Sequence, residues 1–62
     1  MYKRFQELLQ KNDTNAYRVS KETGINISTL SHWKTGKIKY PQIKTLKIIA
    51  DYFGVDIEYF IE

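Results

Sequence analysis

Ser28, Ser31, His32 and Thr35 are the residues of this chain whose types and spacing could do chemistry. At about 100° per residue, with Leu30 and Trp33 taken as the inner side of a helix, these four point the other way. Their hydroxyls and imidazole are short, and each side chain can both donate and accept hydrogen bonds. A helix that needs only solubility draws more often on Glu, Lys and Gln, which are better helix formers than Ser, Thr or His. Short polar groups let such a helix approach a second surface closely, and Ile27 in its first turn adds an apolar contact. The edges of bases in a DNA major groove suit these groups: hydroxyls bond to base edges or phosphates, and apolar groups meet thymine methyls. An ordinary surface helix with incidental Ser and Thr is the plain alternative.

Other chemistries lack their residues. His32 is the one histidine, there is no cysteine, and no paired carboxylates stand at a ligating distance along the chain, so no metal and no cofactor is expected. No glycine-rich phosphate loop and no nucleophile beside a base is present, so the chain does not read as an enzyme. Asp51, Asp56 and Glu58 read as caps and solvated charges.

The elements that must position the polar row are short helices. Phe5, Leu8 and Leu9 share one face of a first helix over 2–11, which ends in the polar cluster Asn12, Asp13, Thr14. Asn15 is a good N-cap for a second helix over 16–22, with Val19 inward and the small Ser20 beside it. Gly24 ends that helix, Ile25 plugs the turn, and Asn26 caps a third helix over 27–35, closed by Gly36. After a Lys-rich loop, Pro41 stands where a helix start tolerates it. Ile43, Leu46, Ile49, Ala50 and Phe53 then repeat at spacings of three and four, a helix over 42–53. Gly54 ends it, Val55 tucks back, and Asp56 is placed to cap a last helix over 57–61. The expectation is one all-α domain over 1–62, a compact bundle of five helices with no sheet.

A chain of 62 residues buries only about 60% of the surface that its unfolded form exposes, so the core must be compact. Without cysteine that core is purely hydrophobic, and a reducing compartment fits. No signal peptide, lipidation motif or apolar run near the roughly 20 residues of a membrane span is present, so a cytoplasmic location is the default. The net charge is only +3, but it is lopsided. Residues 1–47 carry ten positive charges against three negative, a net of +7, and residues 48–62 carry −4. A basic surface attracts polyanions, because neutralising phosphates releases condensed counterions.

Ala16 to Thr35 form two short helices joined at Gly24, and such a pair must cross steeply. The run NAYRVSKETGINISTLSHWKTGK, then Pro41, then IKTLKIIADYFGVDIEYFI resembles the Cro and lambda-repressor type helix-turn-helix family, also called the Xre family. Val19 and Ser20 stand at the family's "LA" pair, and Gly24, Gly36, Pro41 and the run from Leu46 to Val55 keep the same register. The resemblance implies a five-helix fold of the lambda-repressor-like type, with the helix-turn-helix at helices two and three. It implies sequence-specific binding of double-stranded DNA by a transcription regulator, a repressor of phage or bacterial type. Ile27, Ser28 and His32 would occupy the main base-reading positions, flanked by Thr29 and Ser31. Asn15 and Ala16 would lie at the DNA backbone, where Ala16 replaces a frequent Gln. Thr35, Lys37, Lys39, Tyr40 and Gln42 would lie in the loop along the sugar-phosphate backbone, with Lys34 beside them.

One such domain reads few base pairs, so a weak homodimer on two half-sites roughly 34 Å apart is expected. The C-terminal stretch has more apolar residues than one short helix needs, and Ile57, Tyr59 and Ile61 are its candidates for self-association. The chief alternative is an antitoxin or anti-repressor module that binds protein with the same fold. A nucleoid binder without sequence preference and a basic amphipathic membrane binder follow it. Ending at Glu62, just past the family's last helix, the chain reads as a whole regulator or as its N-terminal domain.

Overall fold

The structure, a computed structural model, describes residues 1–61. Five helices follow one another: α1 Tyr2–Lys11, α2 Ala16–Thr23, α3 Ile27–Thr35, α4 Ile43–Phe53 and α5 Glu58–Ile61. No strand occurs among the described residues. Helix α2 packs on α3 and α4, and α5 closes against α1. The molecule measures 25 × 25 × 19 Å.

Each helix end has a local cause. Asn15 Oδ1 accepts from the Arg18 N–H at 2.9 Å, and Asn26 Oδ1 from the Ser28 N–H at 2.8 Å, so both expected caps hold. Helix α1 ends without glycine. Asp13 takes the left-handed conformation (φ 52°), where main-chain bonds from Asp13 to Gln10 and from Thr14 to Leu9 close the last turn. Asp tolerates this backbone better than most residues because its short polar side chain can bond locally.

Three boundaries differ from expectation by one residue. Helix α2 runs on to Thr23, whose hydroxyl donates to the Val19 carbonyl at 2.6 Å and covers a terminal acceptor. Helix α4 begins at Ile43, because Gln42 is extended (ψ 150°) and serves as its N-cap residue. Pro41 therefore precedes the helix rather than opening it, and it is buried. Helix α5 begins at Glu58, and its first turn is drawn together by main-chain bonds from Tyr59 to Asp56 and from Phe60 to Ile57.

The core comprises Phe5, Leu8, Leu9, Val19, Ile25, Leu30, Trp33, Leu46, Ile49, Ala50 and Phe60, one contiguous cluster fed by every helix. Trp33 is its hub. Its ring stacks on Phe5 with centroids 5.3 Å apart, and it meets Tyr2 edge-on at 5.3 Å and Phe60 at 6.3 Å. The only tryptophan thus holds the inner side of α3 against α1 and α5. Its indole N–H is buried without an acceptor. Ile43 departs from the apolar repeat read for α4, with 65% of its surface exposed. It lies about 60° round the wheel from Leu46, at the edge of the apolar face.

Candidate nucleic-acid interface

The turn between α2 and α3 is held by more than a small residue and a glycine. Ser20 Oγ donates to the Ile25 carbonyl at 2.5 Å, tying α2 to the entry of α3. Thr23 Oγ1 accepts from the Ile25 N–H at 3.3 Å. Gly24 bends the chain at φ 81°, a backbone that an L residue reaches only at a cost of about 1–2 kcal/mol. Space is not the constraint, since a Cβ at Gly24 would meet nothing within 4 Å.

This frame sets the outward side of α3. Leu30 and Trp33 are buried, and Ser28, Ser31 and Thr35 are exposed. Ile27 is 42% exposed in the first turn, an apolar side chain offered to solvent at the tip of the helix. His32 is half-buried, and its carbonyl receives the Ile38 N–H at 3.0 Å and the Thr35 hydroxyl at 3.3 Å. The loop after Gly36 therefore folds back against the end of α3. Asn26 lies exposed with its side-chain oxygen committed to the cap.

Thr29 sits differently from Ser28 and Ser31. It is half-buried and lines a groove between α3 and the start of α4, with Ile38, Tyr40, Pro41, Gln42 and Thr45. Thr45 is a polar side chain of that groove that the apolar repeat of α4 passes over. The exposed Gln42 lines this groove, and its side chain makes no cap bond to α4. Lys34, Lys37 and Lys39 are exposed around the loop, and Lys39 Nζ stands 6.0 Å from the Tyr40 ring centroid. Tyr40 is 64% exposed and lines both this groove and a second one formed with Met1, Lys3, Arg4, Glu7, Phe60 and Ile61. At the start of α2, Asn15 is exposed, whereas Ala16 is half-buried against the core and its methyl has no hydrogen-bonding group to offer.

The chain segment that forms this side carries one sign of charge, and the neighbouring carboxylate in the groove beyond Tyr40, Glu7, is paired with Arg4 at 3.7 Å. From Thr23 to Ala50 the chain has no carboxylate and five lysines, a span that covers α3, the loop and most of α4. The nearest preceding carboxylate, Glu22, is engaged elsewhere: Tyr52 donates to it at 2.5 Å and Arg18 pairs with it at 3.6 Å. That hydrogen bond is the main reason the Tyr52 hydroxyl titrates above its ordinary range, since ionising it would set a phenolate beside a carboxylate. The Tyr2 hydroxyl is likewise raised, by burial. No group of metal-ligating side chains gathers among the described residues, and no helix is long and apolar enough to cross a membrane.

Two short helices locked at a bend, the second with its polar row outward beneath a lysine loop, form the arrangement that the resemblance implies. A family model described as Cro/C1-type HTH DNA-binding domain matches residues 4–62. The chain belongs to the Cro/C1-type HTH DNA-binding domain family. No match was found among curated proteins or among solved structures. As a Cro/C1-type domain, the chain is a DNA-binding domain of a regulator.

The candidates for self-association lie at the C-terminal end of the Cro/C1-type fold, where Ile61 lines the same groove as Tyr40. Ile57 and Tyr59 are half-buried and packed against the core. Tyr59 is further held by a hydroxyl-to-Glu7 bond at 3.5 Å and by the Arg4 guanidinium 5.1 Å above its ring. Ile61 is 60% exposed, so of the three it has the most surface to give.

Proposed function

We propose that this chain regulates transcription as a repressor, in the cytoplasm, by laying α3 in the major groove of a specific operator. Ile27, Ser28 and His32 read base edges, and Thr29 and Ser31 flank them. Ile27 suits a thymine methyl, and the hydroxyls and imidazole suit base acceptors and donors. Asn15, the main chain at Ala16, Thr35, Lys37, Lys39, Tyr40 and Gln42 hold the sugar-phosphate backbone, fixing the register in which bases are read. The carrying observation is the exposed short polar row of α3 set inside a carboxylate-free span with five lysines. A face meant for an acidic protein would share the charge and the short side chains, and the match to a DNA-binding domain family favours duplex DNA.

Two copies on adjacent half-sites, joined through Ile61 with Ile57 and Tyr59 behind it, would give the operator two-fold symmetry. Selection of binding sites from a random duplex pool tests the reading. The expected product is a palindrome with half-sites one helical turn apart, bound with an affinity that falls steeply with salt. A pool that yields no enriched sequence would overturn the claim of specific reading.

A further inference from the structure

Ala16 leaves the start of α2 without a side chain to grip DNA, yet the residue beside it is the large and exposed Tyr17, 62% of whose surface is free. Tyr17 lies about 160° round the wheel from the buried Val19, and so points away from the core. Its helical position is nearer that of Ser20, which is bonded to the entry of α3, and it lines a shallow hollow with Asn15, Arg18, Lys21 and Glu22. Its hydroxyl makes no hydrogen bond among the described residues. Lys21, one turn on, stands with its ammonium 5.4 Å from the Tyr17 ring centroid, so the ring steers the charge to the same corner. Lys21 has no ion pair among the described residues. Glu22, the carboxylate next to it, is already held by Arg18 and Tyr52.

A free phenol and an unpaired ammonium at one corner of the helix-turn-helix unit suit a phosphodiester, whose oxygens accept from both. We propose that Tyr17 and Lys21 together hold one backbone phosphate of the bound duplex, supplying the clamp that Ala16 cannot. The inference rests on the reading of the chain as a binder of duplex DNA. Tyr17 Oη donates to a non-bridging oxygen, and Lys21 neutralises the phosphate while its stem lies along the ring.

The test is a titration of the whole chain and its variants against one duplex recovered by selection, at several salt concentrations. Tyr17→Phe removes only the hydroxyl, and binding should weaken about tenfold with the salt slope unchanged. Lys21→Gln should weaken binding and make the slope shallower by about one unit. Both side chains are exposed, so thermal unfolding should stay at the wild-type temperature. On a duplex carrying a neutral methylphosphonate at the contacted position, wild type and Lys21→Gln should bind alike. If both variants bind as wild type does, while wild type binds the duplex in a salt-dependent way, the clamp is wrong and the DNA reading stands. If wild type binds no duplex, both fall.

Discussion

Trp33→Ala should unfold a large share of the chain at room temperature and abolish DNA binding by that route. Deleting a buried tryptophan costs about 3–5 kcal/mol, from lost transfer energy and the cavity left behind. A chain of 62 residues has in total about 3–9 kcal/mol at the usual stability per residue. Trp33 contacts Tyr2, Phe5 and Phe60, so the cavity would open at the junction of α1, α3 and α5, where each wall belongs to a different helix. Partial relief comes from removing the unpaired indole N–H, whose burial costs on the order of 1 kcal/mol or more. The net expectation is a Tm lower by at least about 8 °C, given the shift per kcal/mol typical of domains this small. Trp33→Phe keeps a ring on Phe5 and deletes the N–H, so it should retain a cooperative transition with a much smaller loss. Circular dichroism melts of the three proteins decide the matter. An alanine variant that melts within a few degrees of wild type would show that α3 is not anchored through this ring.

The second large effect concerns the lysine loop. Exchanging Lys34, Lys37 and Lys39 for Gln should lower affinity for every duplex by roughly a hundredfold near physiological salt. The log–log salt slope should become shallower by nearly three units, because each phosphate contact contributes about 0.9. These lysines are exposed and make no ion pairs among the described residues, so the fold should be unaffected. The control is the triple exchange Gln6→Glu, Gln10→Glu and Lys11→Gln on α1, all exposed, which lowers the net charge by the same three units outside the carboxylate-free span. If affinity depends only on overall charge, the two triple variants will fall together. If the loop lies along the backbone, the control will lose far less.

The sequence carried the fold where a local rule and the packing agree. Asn15 and Asn26 cap because their side chains reach the amides two or three residues on, whatever the rest of the chain does. Leu30 and Trp33 share a buried face because three residues bring them to the same side of a helix. Where a residue's role depends on a neighbouring helix, periodicity was silent. Ile43 falls on the apolar edge of α4 by spacing, but nothing in the spacing says that this edge is left uncovered. Ser20 was legible as small, whereas its bond to the Ile25 carbonyl needs the turn that brings the two together. Asp13 gave no glycine to mark its left-handed turn.

The site shows the same division. Outward Ser28, Ser31 and Thr35 follow from the wheel, and they are exposed. Thr29 stands at the margin of the face and His32 is outward by the wheel, yet both are half-buried, because burial is decided by what the neighbouring elements place beside them. Tyr17 escaped notice because an exposed aromatic has no pattern along the chain. It becomes meaningful beside Lys21, with Ala16 bare next to it.

The central claim is that α3 reads bases while the loop only grips. It is tested most directly by measuring the affinities of Ser28→Ala and His32→Ala across all single base-pair variants of a selected operator half-site. The account predicts that each variant loses about 1–3 kcal/mol of discrimination at one or two base pairs and keeps the wild-type preference elsewhere. A uniform loss at every position, the pattern expected of the lysine exchange, would contradict it.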